Sequence, residues 1–158
     1  FVINVNQFLE SEMKQLIVGL ALMFAAGMAS AACEVNVEVG DSLAFSESSI
    51  TVEASCDTVT VNLKHTGSLP AAAMGHNWVL SKTADYQAVA NDGMAAGLDA
   101  NYLPADDARV LVYTKIIGGG EETSVSFSLS DLDAGESYTF YCSFPGHTGL
   151  MNGTFTIS

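Results

Sequence analysis

Basic residues are scarce in this chain: five Lys and Arg stand against 18 Asp and Glu, a formal net charge of −13. Binding to nucleic acid through phosphate neutralisation needs clustered Lys and Arg, so it is excluded. The acidity favours solubility and steering toward basic partners. Long apolar runs are scarce too. The uncharged run Leu16 to Ala26 is too short for a stable membrane span. His and Cys number three each and Trp one, so metal or redox chemistry must be built from few side chains. No internal repeat or low-complexity linker divides the 158 residues, a length that suits one domain.

The N-terminal region reads as a targeting segment. Met13-Lys14 precedes the apolar run, and Ala29-Ser30-Ala31 fits the small-x-small rule for signal cleavage. Residues 13–31 are therefore expected to be a secretory signal peptide and residues 32–158 the mature domain, delivered to the periplasm. Glu10 and Glu12 do not suit the basic start of a signal, so residues 1–12 are expected to be a non-native upstream extension. Lipid attachment at Cys33 is the alternative. The preceding Ser30-Ala31-Ala32 lacks the Leu-like residue such signals carry. Setting aside Glu10, Glu12 and Lys14 leaves 16 acids against Lys64, Lys82, Arg109 and Lys115, a net −12.

Alternation with period two recurs along the mature region. It is visible in Val35-x-Val37-x-Val39, in 58–65, in 125–129, in 137–142 and in 153–158. Turn signals at Gly67-Ser68, Gly118-Gly119-Gly120 and Asp133 to Glu136 separate these runs. Many short strands at such spacing predict an all-β Greek-key sandwich or barrel. One stretch differs. Residues 83–98 are rich in Ala and poor in β-branched residues, which predicts one short helical insertion around 84–98, capped by Ser81 or Thr83 and stopped by Gly97.

The chemistry concentrates near the C-terminus. Cys142, His147 and Met151 lie in one run, spaced C-x4-H-x3-M, and His76 lies upstream in Met74-Gly75-His76-Asn77-Trp78. Two His, one Cys and a weak Met form the ligand set of a blue-copper electron-transfer site. Zinc sites usually carry more thiolates or a carboxylate and rarely a thioether. Pro145-Gly146 lets the chain turn back between Cys142 and His147. Gly75 permits close backbone approach, so its carbonyl is a further candidate ligand. With Cys142 in the ligand run, Cys33 and Cys56 remain to form a disulfide in an oxidising compartment.

These segments resemble the azurins of the cupredoxin family of blue-copper proteins. The resemblance covers about residues 32–158. It is carried by Met74 to Ser81, Asp92 to Asp99 and Cys142 to Met151, and the spacing of the last run is longer than that of plastocyanins. It implies one copper held in a plane by His76, Cys142 and His147, with Met151 and the Gly75 carbonyl on the axis. It implies backbone N–H groups of Asn77 and Phe144 on the Cys142 sulfur, and Trp78 inside the sandwich. His65 matches a partly buried titrating histidine, although Thr66 stands where the family has Pro. An apolar docking patch of Leu43, Leu69, Ala73, Met74, Met94, Phe144, Pro145 and Leu150 is implied around the edge of His147. Its partners are redox proteins: c-type cytochromes and copper or haem reductases. The carrier itself is expected as a monomer or weak dimer.

The expected function is one-electron transport by copper cycling between Cu(I) and Cu(II), not enzymatic turnover. Two other readings compete with it. A copper-handling protein of the periplasm would use a Met-rich or exchangeable site, and the six Met form no cluster. A multicopper oxidoreductase needs more than three histidines.

Overall fold

The computed structural model describes residues 33–133 and 135–158. The expected signal peptide and upstream extension lie outside them. Alternating valines place Val37 and Val39 on the inner face of β1 (Glu34–Val39). The same period sends Val59, Val61, Leu63 and His65 inward from β3 (Thr58–His65). The remaining strands are β2 (Ser49–Val52), β4 (Val79–Lys82), β5 (Val112–Tyr113), β6 (Glu122–Ser128), β7 (Tyr138–Tyr141) and β8 (Asn152–Ile157). Helix α1 (Ala71–Met74) is a single turn, and α2 (Tyr86–Gly93) is the longer insertion.

The strands form two sheets, ordered β1-β3-β6 and β2-β8-β7-β4-β5. β1 runs parallel to β3 and β2 parallel to β8, while the other pairs are antiparallel. Between the sheets lies an aromatic core. Trp78 is fully buried, with the rings of Phe140, Phe155 and Phe127 at 5.9, 6.2 and 6.4 Å. Among the described residues its indole Nε1 has no hydrogen-bond partner, so packing holds this ring. β7 is buried on both faces: Phe140 points into the sandwich, and Tyr141 lies beneath α2 in a second cluster with Val79, Val89, Ala90 and Leu103.

This is the expected sandwich with its helical insertion, and the insertion differs in detail. The α-helix ends at Gly93. Two 3₁₀ turns follow, Met94–Ala96 and Leu98–Ala100, with Gly97 between them. Neither Ser81 nor Thr83 caps it. Ser81 Oγ donates to the Arg109 carbonyl, Thr83 bonds Thr139, and Asp85 stands at the N-cap without a side-chain bond. Those hydroxyls serve the sheet, because β4 continues to Lys82 and its outer face is covered.

Cys33 and Cys56 form a disulfide with Cα atoms 5.6 Å apart. It ties the start of β1 to the segment before β3. His65 closes the other end of β3, so the eight-residue strand sets the disulfide and His65 roughly 26 Å apart. The double substitution Cys33→Ser with Cys56→Ser is therefore expected to lower unfolding free energy by about 3 kcal/mol. Urea titration of the metal-loaded and metal-free proteins measures this. A change in the metal's absorption spectrum in the same variant would contradict the separation of the two ends.

Candidate metal centre

Two loops at one end of the sandwich supply the donors. The first precedes β4. His76 stands three residues before β4, which begins at Val79, and is held by an isolated bridge to Ile117. Its backbone N–H donates to the Ile117 carbonyl and its carbonyl accepts from the Ile117 N–H. Gly75 is required there, since a Cβ would collide with the Ala71 carbonyl and the Ile116 side chain. The second loop connects β7 to β8. Cys142 follows directly on β7, and the His147 and Leu150 N–H groups close turns onto the Phe144 and His147 carbonyls. Thr148 Oγ1 donates to the Cys142 carbonyl at 2.7 Å.

His76, Cys142 and His147 meet, all buried, with their donor atoms within 4.8 Å of one another. Cys142 Sγ lies 3.8 Å from His76 Nδ1 and 3.7 Å from His147 Nδ1. A first-row metal bonded at about 2.3 Å to sulfur and about 2.0 Å to nitrogen sets them about 3.7 Å apart at a trigonal angle and about 3.5 Å apart at a tetrahedral one. The spacing therefore lets one first-row metal reach the sulfur and both nitrogens. His76 Nε2 donates to the Gly40 carbonyl at 2.9 Å, which fixes the tautomer and leaves Nδ1 as a lone pair facing the sulfur.

The Gly75 carbonyl is 4.0 Å from the same sulfur. Met151 is fully buried, and backbone bonds return it to the site: its carbonyl accepts from the Cys142 N–H at 3.0 Å, and its N–H donates to the His147 carbonyl at 2.8 Å. Met151 lies just before β8 rather than within it.

Burial sets the protonation of the donors. It pushes the Cys142 thiol up to about 11, against the pull of the Asn77 and Phe144 backbone N–H groups on its sulfur. It pulls His147 down to about 4, helped by the neighbouring His76, and lowers His76 as well. Near pH 7 the site thus offers two neutral imidazoles and a thiol whose proton a metal must displace.

His65 is more deeply placed than expected. It is fully buried and stacks on His76 at 5.1 Å, which in turn lies 5.0 Å from His147. Its Nε2 donates to the Met74 carbonyl, and its Nδ1 accepts from the Gly67 N–H. Both ring nitrogens are satisfied in the neutral form. Thr66 donates its N–H and its hydroxyl to the Val39 carbonyl, at 2.7 and 3.0 Å; a proline could make neither bond.

The expected apolar patch is partly exposed. Leu69, Met94 and Leu150 are 40, 48 and 70% accessible, and Ala73 is also exposed. Leu43, Met74, Phe144 and Pro145 are half-buried, with Phe144 stacked on His147 at 4.5 Å. A shallow cleft of about 290 Å³ runs between α2 and the ligand loop, beside Met94 and Phe144.

Ser143 and Asn101 were missed by the sequence reading. Ser143 donates its N–H to Asn77 Oδ1 at 2.9 Å and its hydroxyl to the Asn101 carbonyl at 2.7 Å. No sequence pattern marks such bonds, because they join residues 66 and 42 positions apart.

Comparison with known proteins agrees with this geometry. The family model for copper-binding proteins of the plastocyanin/azurin type matches residues 31–158. The chain belongs to the plastocyanin/azurin family of copper-binding proteins. It is 55% identical over 146 residues to the azurin of Bordetella pertussis, covering 91% of this chain and 97% of that one. To the azurin of Pseudomonas aeruginosa it is 51% identical over 140 residues, 89% and 95% of the two chains. A solved azurin (Az-iso2) from Methylomonas sp. strain J superposes with TM-score 0.78 at 49% identity, covering 81% of this chain and 99% of that one. The family's metal is copper, and the cupredoxin fold with its His-Cys-His site makes this chain a blue-copper electron-transfer protein.

The protonation states give a test. Loading the metal-free protein near pH 7 is expected to release about one proton per metal, from Cys142. Base uptake in a pH-stat counts them. No release would mean the thiol is already ionised, and two would mean a histidine is already charged.

Proposed function

We propose that this protein is a one-electron carrier of the periplasm that shuttles electrons between redox proteins and transforms no substrate. The observation that supports it most directly is the dry donor set: His76 and Cys142 are fully buried and His147 nearly so. Bound copper supplies the Cu(I)/Cu(II) couple. Cys142 would hold the metal as a thiolate and His76 and His147 as imidazoles, the first fixed by the Gly40 carbonyl and the second by the Phe144 ring, with Met151 and the Gly75 carbonyl as further candidate donors. Donors held in place by the sandwich move little between oxidation states, which keeps the barrier to electron exchange low.

Electrons pass at the edge of His147, within the patch of Leu43, Leu69, Met74, Met94, Phe144, Pro145 and Leu150. Small apolar patches suit brief docking. The partners are c-type cytochromes and copper or haem reductases, and basic ones are favoured. Among the described residues Lys64, Lys82 and Arg109 are each paired with acids, which leaves Lys115 as the base without an ion pair. The surface field is therefore almost wholly negative.

The deciding experiment is a visible spectrum after adding Cu(II). An intense blue band is expected in the native protein and none in Cys142→Ser. A weak band with copper still bound would mean a tetragonal site and would favour the copper-handling reading instead. For the partners, the association rate with a basic cytochrome is expected to fall by about tenfold or more between about 0.01 M and 0.15 M salt, as the Debye length shrinks from about 30 to 8 Å. A rate independent of salt would remove the steering argument.

A further inference from the structure

Two adjoining residues in the connection after α2 adopt left-handed backbone: Asn101 at φ 55° and Tyr102 at φ 48°. Asn tolerates this conformation, whereas for Tyr it is costly. Such strain persists only where the surroundings over-determine it, and it clusters at functional sites. Here the surroundings are specific. Asn101 ends the 3₁₀ turn Leu98–Ala100, with its N–H on the Leu98 carbonyl. A Cβ on Gly93 would strike the Tyr102 carbonyl, so the end of α2 is pressed against this segment.

The segment reaches three others. The Asn101 carbonyl accepts from Ser143 Oγ at 2.7 Å and from Asn77 Nδ2 at 3.5 Å. Its side-chain Oδ1 accepts from the Ile116 N–H at 2.8 Å, beside the Ile117 bridge that holds His76. The Tyr102 ring meets Phe144 edge-on at 5.2 Å. Asn77 and Ser143 are further joined by Asn77 Oδ1 to the Ser143 N–H and by Asn77 Nδ2 to Ser143 Oγ, both at 2.9 Å. Asn77 and Phe144 are also the residues whose N–H groups face the Cys142 sulfur.

We propose that Asn101 is a positioning residue for the metal centre. It latches the His76 segment, the Cys142 loop and the Ile116–Ile117 backbone into one arrangement, and so fixes the two N–H groups on the sulfur. Those bonds withdraw electron density from the thiolate and favour the reduced metal. The latch rests on the blue-copper reading above, and it acts through hydrogen bonds between the chain's own residues.

Three variants test it. Asn101→Gly keeps the left-handed backbone and the carbonyl but loses Oδ1. Asn101→Ala also strains the backbone. Asn101→Asp retains the acceptor. Amide hydrogen exchange in the metal-free protein is read first. Exchange at Ile116 and Ser143 is expected to quicken about tenfold in Asn101→Gly, the size of one lost hydrogen bond, and to stay native in Asn101→Asp. In the copper-loaded protein the blue band is expected to persist in Asn101→Gly, with a lower reduction potential. Should Asn101→Ala not fold, Asn101→Gly alone carries both readings. A lowered unfolding midpoint with native exchange at Ser143 and a native potential would show a merely structural residue and overturn the proposal. Loss of the blue band from the native protein would strike the blue-copper reading and leave the exchange result standing.

Discussion

Three donors drawn from two loops have to meet around one metal in a place water does not reach, and the rest of the structure follows from that requirement. Sulfur-to-nitrogen distances of 3.7 and 3.8 Å leave little tolerance. Each donor is therefore fixed by something other than the metal. His76 is held by its bridge to Ile117 and by the Gly40 carbonyl. Cys142 is held by its position at the end of β7 and by the Met151 carbonyl. His147 is held by the turn from Phe144 and by the ring stacked on it. Loops usually carry more motion than strands; here they are cross-bonded until they share the rigidity of the sheets.

The rigidity comes from the core beneath. Trp78 is two residues from His76 and Phe140 two from Cys142, and the two rings lie 5.9 Å apart. Trp78 directly precedes β4 and Phe140 lies in β7, and these two strands are neighbours in antiparallel register, Val79 to Tyr141 and Leu80 to Phe140. Packing that fixes the aromatic pair thus also fixes the separation of the two ligand-bearing loops. An orphaned indole N–H inside that packing is a modest cost, about 1–3 kcal/mol. The burial that imposes it also dries the site, keeps both imidazoles neutral and keeps the free thiol protonated.

Much of this was legible in the sequence, and the limit has a physical cause. Period-two runs announced β1, β3, β6 and β8, because their two faces meet different surroundings, and β7 was announced by the same alternation although both of its faces are buried. Cys142 and His147 were legible because a single short loop brings them back to one point, and Met151 because it stands in the same run. β2 and β5 were not recognised, since four and two residues are too few to display a period. The helical insertion expected around 84–98 divides into α2 and the 3₁₀ turns at Met94–Ala96 and Leu98–Ala100, a division that composition cannot show. His65 illustrates the same limit. Its place on the inner face of β3 follows from alternation with Val59, Val61 and Leu63, but its stack on His76 depends on tertiary packing.

The charge distribution completes the separation between interior and surface. Every ionisable ligand is buried and neutral or metal-bound, so the site adds little to the field outside. That field is set by the acids, of which the described bases offset only a few. Arg109 illustrates how the pairing is spent. Its guanidinium holds Asp107, pulling that carboxyl down to about 2, and reaches Asp92 on α2 at 2.8 Å. The pairing ties the loop of Arg109 to α2, the helix that precedes the connection carrying Asn101. On the proposed reading, an uncharged edge at His147 within a negative surface would let long-range attraction choose the partner while short-range apolar contact sets how soon it leaves. A carrier that must bind, exchange one electron and dissociate needs those two controls to be independent.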